Sequence, residues 1–149
     1  MIFVSSNYHF IYFMKKLLPL LLGATLFIGC KKQVENVTED LIVQNMIKGQ
    51  WVITQFTQSG NNVTTNFSGY KFQFYSNKTV DAIKNGVKER TGNWGGSTTT
   101  MTTWVDFASA PAPIIFLNGT WDVIDAGFDY LEARQTNGTE VKTLELERQ

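Results

Sequence analysis

The sequence predicts an all-β domain: an antiparallel, eight-stranded meander that closes into a barrel and is preceded by one short N-terminal helix. From Gln50 onward, short runs rich in Val, Ile, Thr and aromatic residues alternate with Gly, Asn and Ser, a pattern typical of strands joined by tight turns. Tyr70, Phe72 and Phe74 alternate with more polar residues, as do Leu144 and Leu146, so these five are expected on the buried faces of their strands. Hairpin-joined strands form a meander, and eight of them are enough to close a barrel.

One helix is expected before the first strand. Thr38 can cap its N-terminus, Glu39 and Asp40 suit its first turn, and Gly49 can end it. Apolar residues between these positions recur near helical spacing, which favours a helix with one buried face.

Turn-forming residues and prolines predict the strand boundaries. Turns are predicted at 75–78, Asn85-Gly86, 93–96 and 136–138, because Asn and Gly favour the backbone conformations of tight hairpins. The prolines of 108–113 cannot donate to a ladder, so this segment is predicted to be a loop. The predicted strands are residues 50–58, 70–76, 79–84, 87–95, 98–107, 119–125, 128–135 and 140–148.

Residues 14–29 have the layout of a secretory signal peptide. Lys15 and Lys16 precede an apolar run of about a dozen residues, which is shorter than the roughly 20 residues that cross a bilayer. The junction Gly29-Cys30 resembles that of a bacterial lipoprotein signal, in which the cysteine is acylated and becomes the new N-terminus. Cys30 is therefore the predicted lipidation site.

Residues 1–13 are interpreted as an over-called extension, with Met14 as the true start. They contain no Lys or Arg, unlike the beginning of a signal peptide. A two-part membrane segment over 2–28 is the alternative, but it would place Lys15 and Lys16 at its centre at a cost of about 3 kcal/mol each.

Processing at Cys30 would remove His9, the only histidine, and modify the only cysteine. The mature chain would then lack Ser-His-Asp and Cys-His catalytic groups, histidine-ligated zinc and disulfides. We therefore expect no enzyme and no cofactor. Two sets of carboxylates are the alternatives to this expectation, and no motif supports either of them. The first is Asp106 with Glu132 or Glu89 as an acid–base pair, and the second is Asp122, Asp125 and Asp129 as a calcium site.

The charge balance gives no indication of a nucleic-acid partner. The whole chain has 13 Lys and Arg against 13 Asp and Glu, and without Lys15 and Lys16 the balance becomes slightly negative, with the cations scattered rather than clustered. Residues 30–38 are predicted to be a polar tether and residues 39–149 the folded domain.

Three Gly-x-Trp units occur in the domain: Gly49-Gln50-Trp51, Gly92-Asn93-Trp94 and Gly119-Thr120-Trp121. Together with the segment Phe72-Gln73-Phe74-Tyr75-Ser76-Asn77-Lys78-Thr79-Val80, they make residues 45–148 similar to the small bacterial lipocalin-like lipoproteins. The resemblance implies that Trp51 packs at the closed end of the barrel beneath Arg148, with Gly49 permitting the close approach. The domain is shorter than ligand-carrying lipocalins and lacks the disulfide of many of them.

The resemblance also implies an apolar ligand pocket. We expect the inward-facing aromatic residues Phe72, Phe74, Trp104 and Tyr130 to line it, with the opening near the loop that contains Pro111 and Pro113. The predicted function is a membrane-anchored lipoprotein of the bacterial cell envelope that binds a small apolar or amphipathic molecule at the membrane surface. The alternative is a non-catalytic structural or interaction lipoprotein of unknown protein partner whose barrel is filled by its own side chains, as eight short strands allow.

Overall fold

Residues 43–149 are described in a computed structural model of the chain. The predicted extension (1–13), signal peptide (14–29), lipidation site Cys30, tether (30–38) and helix start all lie outside the described residues. Within them, residues 43–46 are helical and the chain turns at 47–49. Gly49 has φ +78°, a conformation that glycine adopts without steric cost. None of the helices in the described part is long and apolar enough to cross a membrane.

Nine strands and two short 3₁₀ helices (Thr64–Phe67 and Ile114–Leu117) follow the helical residues. The strands are β1 (Trp51–Gln58), β2 (Asn61–Asn62), β3 (Tyr70–Phe74), β4 (Thr79–Lys84), β5 (Val87–Ser97), β6 (Thr102–Asp106), β7 (Gly119–Ala126), β8 (Tyr130–Asn137) and β9 (Glu140–Arg148).

The strands form one closed antiparallel meander. Neighbours in sequence pair from β3 through to β9, and β1 closes the barrel by pairing with β9 from Trp51↔Arg148 to Gln58↔Lys142. β2 only extends the hairpin from β1 by two residue pairs. On the edge opposite β9, β1 also meets β3 in a single residue pair, Trp51↔Phe72. The expected eight-stranded barrel is thus confirmed, and the closure depends on β1 and β9.

Strands β1, β4, β6 and β8 run in one direction and β3, β5, β7 and β9 in the other, so the connections divide between two ends of the barrel. The helix end carries residues 43–50 and the turns 75–78, 98–101 and 127–129. The loop end carries the connections 59–69, 85–86, 107–118 and 138–139.

The loop end is filled by its own connections. Phe67 in the first of these segments, and Phe107, Ile114 and Leu117 in the proline-containing one, are all buried. Phe67 packs against Phe56 of β1 with ring centroids 5.0 Å apart. Buried apolar contact of this kind is the main favourable term in folding, so these loops form part of the core.

The predicted boundary between β5 and β6 is wrong. The turn expected at 93–96 is absent. Instead β5 continues to Ser97, and the turn occupies 98–101, the start of the predicted strand 98–107. Gly95 instead provides room for its cross-strand partner, since an added Cβ would lie 2.6 Å from Trp104 Nε1. Gly95 therefore marks a close approach within a ladder. The other strand ends agree with prediction within about two residues.

Candidate ligand-binding cavity

The three tryptophans of the Gly-x-Trp units play one structural role. Trp51, Trp94 and Trp121 are buried in the barrel, and each indole N–H donates to a backbone carbonyl of a connecting segment. The pairs are Trp51 Nε1 with Met46 O (2.9 Å), Trp94 Nε1 with Tyr75 O (3.2 Å) and Trp121 Nε1 with Leu117 O (2.8 Å). The polar atom of each indole is thereby satisfied, and its rings present apolar surface to the interior.

These three indoles border a cavity of about 430 Å³ that opens at the helix end. Leu144 and Leu146 of β9, which the alternation of the sequence assigned to the interior, form part of its wall and are buried. The remaining wall comes from strands β3 and β5 to β8, the helical residues and the two turns 98–101 and 127–129. The lining residues include Met46, Phe74, Thr103, Val105, Val123, Leu131, Met101 and Phe128.

The wall of this cavity carries no ionisable acid or base other than the Tyr130 phenol at its rim. Among the described residues that line it, none is Asp, Glu, Lys, Arg or His. Thr103, the hydroxyl residue paired with Trp121 across β6 and β7, uses its Oγ1 to donate to Gly95 O at 3.0 Å. No buried side-chain nitrogen or oxygen within residues 43–149 lacks a hydrogen-bond partner. Such a cavity suits an apolar group and disfavours a buried charge.

The rim of the cavity is both apolar and acidic. Met101 and Phe128 lie exposed on the two turns that border the opening. Beside them Tyr130 donates its hydroxyl to Asp125 Oδ2 at 3.0 Å. This hydrogen bond, with the neighbouring carboxylates of Asp129 and Glu132, raises the pKa of the Tyr130 phenol because a negative field disfavours the phenolate.

Trp51 and Arg148 connect the barrel closure to the helical residues. Arg148 Cζ lies 6.0 Å from the centre of the Trp51 ring, and Arg148 Nη1 donates to Asn45 Oδ1 at 3.1 Å. Asn45 Nδ2 in turn donates to Gly127 O at 3.2 Å. An added Cβ on Gly49 would come within 3.2 Å of Arg148 Cγ, so the absence of a side chain there allows the arginine to pack.

The four predicted pocket residues have different positions. Phe74 lines the cavity and meets Trp94 edge-on, with centroids 5.2 Å apart. Phe72 faces inward but does not line the cavity; it is buried against Phe107 of the filled loop end, with ring centroids 6.4 Å apart. The two inward phenylalanines of β3 therefore lie in different compartments of the barrel.

Trp104 and Tyr130 were expected to point inward, and the strand register contradicts this. Trp104 pairs with exposed Thr120, whereas its neighbours Thr103 and Val105 pair with buried Trp121 and Trp94. By the same alternation Leu131 pairs with buried Leu146, which leaves Tyr130 opposite exposed Glu147. Both residues border the cavity from the outer face. Successive side chains of a strand point to opposite faces, so an assignment that is off by one residue puts every side chain of the strand on the wrong face.

The expected position of the opening is also wrong. β6 runs from the turn 98–101 at the cavity mouth to the segment that contains Pro111 and Pro113, so the proline segment lies at the opposite end. Ile114 and Leu117, which follow the prolines, are buried. The apolar residues after Pro113 pull the segment into the core, where burial is favourable, instead of leaving it as a lip.

Sequence reasoning missed most of the cavity wall. It assigned Gly49, Trp51 and Arg148 to the closed end, whereas Trp51 lines the cavity at the helix end, which is open because the connections that fill the barrel lie at the loop end. It gave no pocket role to Trp94, Trp121, Leu131 or Met46, all of which line the cavity. One available signal was the Gly-x-Trp repetition, since all three of its tryptophans meet at the same cavity.

None of the carboxylates considered for an acid–base pair lines the cavity. Glu89 accepts a hydrogen bond from Tyr70 Oη at 2.6 Å, and Asp106 accepts one from Asn118 Nδ2 at 3.3 Å; neither lines the cavity, and nor does Glu132. Within residues 43–149, no three acidic, histidine or cysteine side chains are placed to hold a metal ion.

No protein-family model matches this chain, and no curated protein matches it significantly in sequence. Among solved structures it is similar to a DUF4847 family protein from Bacteroides vulgatus ATCC 8482, at 12% identity and a TM-score of 0.49, over 69% of this chain and 95% of that one. It is also similar to a lipocalin-like protein from Bacteroides uniformis ATCC 8492, at 13% identity and a TM-score of 0.49, over 69% of this chain and 98% of that one. The closed, eight-stranded antiparallel barrel itself follows from the strand pairing described above.

Proposed function

We propose that this protein is a non-catalytic carrier that binds a small apolar or amphipathic molecule inside its barrel. The observation that supports this function is the cavity of about 430 Å³, which exceeds the roughly 300 Å³ at which ligand pockets begin. A filled barrel would leave no such space.

The chemistry of the wall supports the apolar character of the ligand. Burial of apolar surface is worth about 25 cal/mol per Å², and three indoles with Phe74, Leu144 and Leu146 supply that surface. A charged group would lose its hydration without gaining a partner in the cavity. The polar end of an amphipathic ligand would therefore remain at the mouth, beside Met101 and Phe128.

The runner-up function is a structural or interaction protein whose barrel needs no ligand. Buried Phe67, Phe107 and Ile114 fill the loop end of the barrel. For the loop-end half, this packing favours a structural or interaction function. The two functions differ in whether the helix-end half accepts a ligand.

Phe72 and Phe74 provide a matched pair for the test, because both face inward from β3 and only Phe74 lines the cavity. A fluorescent fatty-acyl probe should bind and quench tryptophan emission. Phe74→Ala should change the probe affinity several-fold while altering stability less than Phe72→Ala, which should cost about 3–5 kcal/mol because it opens a void in the packed half. Absence of probe binding, together with a loss of about 3–5 kcal/mol in Phe74→Ala as well, would favour the filled-barrel function.

We further propose that the carrier is a lipoprotein of the bacterial cell envelope, anchored to the membrane through an acyl group on Cys30. The support is the signal-like segment 14–29 and its junction with Cys30. Cys30→Ser should abolish metabolic fatty-acid labelling and membrane association, whereas deletion of residues 1–13 should leave export unchanged. Persistent labelling in Cys30→Ser would exclude this anchor, and loss of export in the deletion would favour the longer membrane segment.

A further inference from the structure

Two large apolar side chains stand exposed at the cavity mouth. Phe128 is 84% exposed and Met101 is 55% exposed, and they lie on the turns 127–129 and 98–101 that border the same opening. Apolar side chains concentrated around an opening, unlike ones scattered over a surface, indicate a contact with another apolar phase.

Two amphipathic aromatic residues lie just behind these turns on the outer face of the barrel. Trp104 at 42% and Tyr130 at 41% exposure both border the mouth. Trp and Tyr are enriched at the level of lipid headgroups, where one part of the ring system is in contact with hydrocarbon and the polar atom with water. The exposed side chains are thus apolar on the turns and amphipathic on the strands behind them. A surface that enters a bilayer interface has the same order of side chains.

The chain also joins the barrel at this end. Asn45 in the helical residues donates to Gly127 O, the residue next to Phe128, at 3.2 Å, and Trp51 Nε1 is bonded to Met46 O at 2.9 Å. Twelve residues separate Cys30 from Val43, and such a segment spans at most about 45 Å when fully extended. An anchor at Cys30 would therefore hold the mouth end within about 45 Å of the bilayer, which lets the mouth reach the surface.

The charges that flank Phe128 favour one kind of bilayer. Asp125 and Asp129 flank Phe128 in the sequence, and their carboxylates would be repelled by anionic headgroups. We infer that the cavity mouth docks on a bilayer surface of zwitterionic lipids, with Phe128 and Met101 at the boundary of headgroups and acyl chains. A ligand would then pass between bilayer and cavity without crossing water; this last step rests on the proposed carrier function, whereas the docking rests on the rim itself.

Val87 provides the matched control, because it is 67% exposed and follows the turn 85–86 at the loop end. The full chain would be produced as Phe128→Cys and as Val87→Cys, labelled with a nitrobenzoxadiazole thiol dye, and reconstituted into phosphatidylcholine vesicles that contain a nitroxide-labelled acyl chain. The dye at position 128 should be quenched at least threefold more than the dye at position 87. The chain without an added cysteine should take up no dye, because Cys30 is acylated.

Equal quenching at the two positions, or stronger quenching at position 87, would overturn the inferred orientation. Absence of quenching at position 128 in a chain that floats with the vesicles through its anchor would overturn the docking itself. Quenching at position 128 that requires phosphatidylglycerol would overturn the assignment to zwitterionic lipid. The acyl-probe titration with Phe74→Ala uses no vesicles, so it distinguishes failure of the carrier function from failure of the docking. Dye uptake at Cys30 would identify failure of the anchor alone.

Discussion

Trp51 and Arg148 stand directly opposite each other across the seam that closes the barrel. The guanidinium carbon lies 6.0 Å from the centre of the indole ring, at the outer limit of a cation–π contact. Arg148 also donates to Asn45 Oδ1 at 3.1 Å, so the last strand holds both the first strand and the helical residues that precede it.

Replacement of Arg148 by alanine should weaken the closure of the barrel between β1 and β9. Arg148→Ala is expected to lower the free energy of unfolding by about 1–2 kcal/mol, since it removes the contact with the ring and the packing of the arginine stem. Urea denaturation would measure the change, with Arg90→Ala, an exposed arginine of β5, as the control. Equal losses in the two variants would show that the contact with Trp51 contributes nothing specific.

Gly92 is expected to be required for packing beneath β6. An added Cβ would lie 2.5 Å from Asp106 O and 2.6 Å from Cδ1 of buried Phe107, so the neighbouring strand would have to move. Gly92→Ala should cost about 1–3 kcal/mol through overpacking. Gly96→Ala on the same strand should cost less, because its added Cβ would come no closer than 3.1 Å to another atom. Thermal unfolding of both variants tests the prediction, and the reverse order of stability would contradict it.

Filling the cavity should block ligand binding without unfolding the barrel. Val123 lines the cavity, so Val123→Trp would occupy space that is empty and should reduce affinity for an acyl probe at least tenfold, with stability changed by about 1 kcal/mol or less. The neighbouring Ile124 is exposed, and Ile124→Trp should leave binding unchanged. Similar probe affinities in the two variants would place the binding site elsewhere.

Tyr70 should make stability depend on pH in the alkaline range. Burial, reinforced by the hydrogen bond to Glu89 and by its charge, raises the pKa of Tyr70 from 10.0 to about 12. The folded state therefore holds the phenol proton more tightly than the unfolded state, which stabilises the protein below pH 10 and is lost as the pH rises from about 10 to about 12. Tyr70→Phe should flatten this loss in urea denaturation across that range. An unchanged pH profile in the variant would assign the loss to other groups.

The sequence determined the type and order of the strands. The alternation of Tyr70, Phe72 and Phe74 and of Leu144 and Leu146 predicts their buried faces, and all five are buried. The Asn85-Gly86 turn is also where it was predicted, with both residues at positive φ. These features are local, since a two-residue period and a tight turn depend on residues adjacent in the chain.

Only the tertiary structure decided which compartment each side chain occupies. Phe72 and Phe74 are equivalent in the sequence pattern, yet one packs against Phe107 from a distant loop and the other borders the cavity. Likewise, Gly95 indicated a turn locally, and its role became apparent only beside Trp104 in the next strand. The cavity, its mouth and the filled loop end all depend on contacts between residues far apart in the chain. The local pattern permits several arrangements equally, and packing selects one of them.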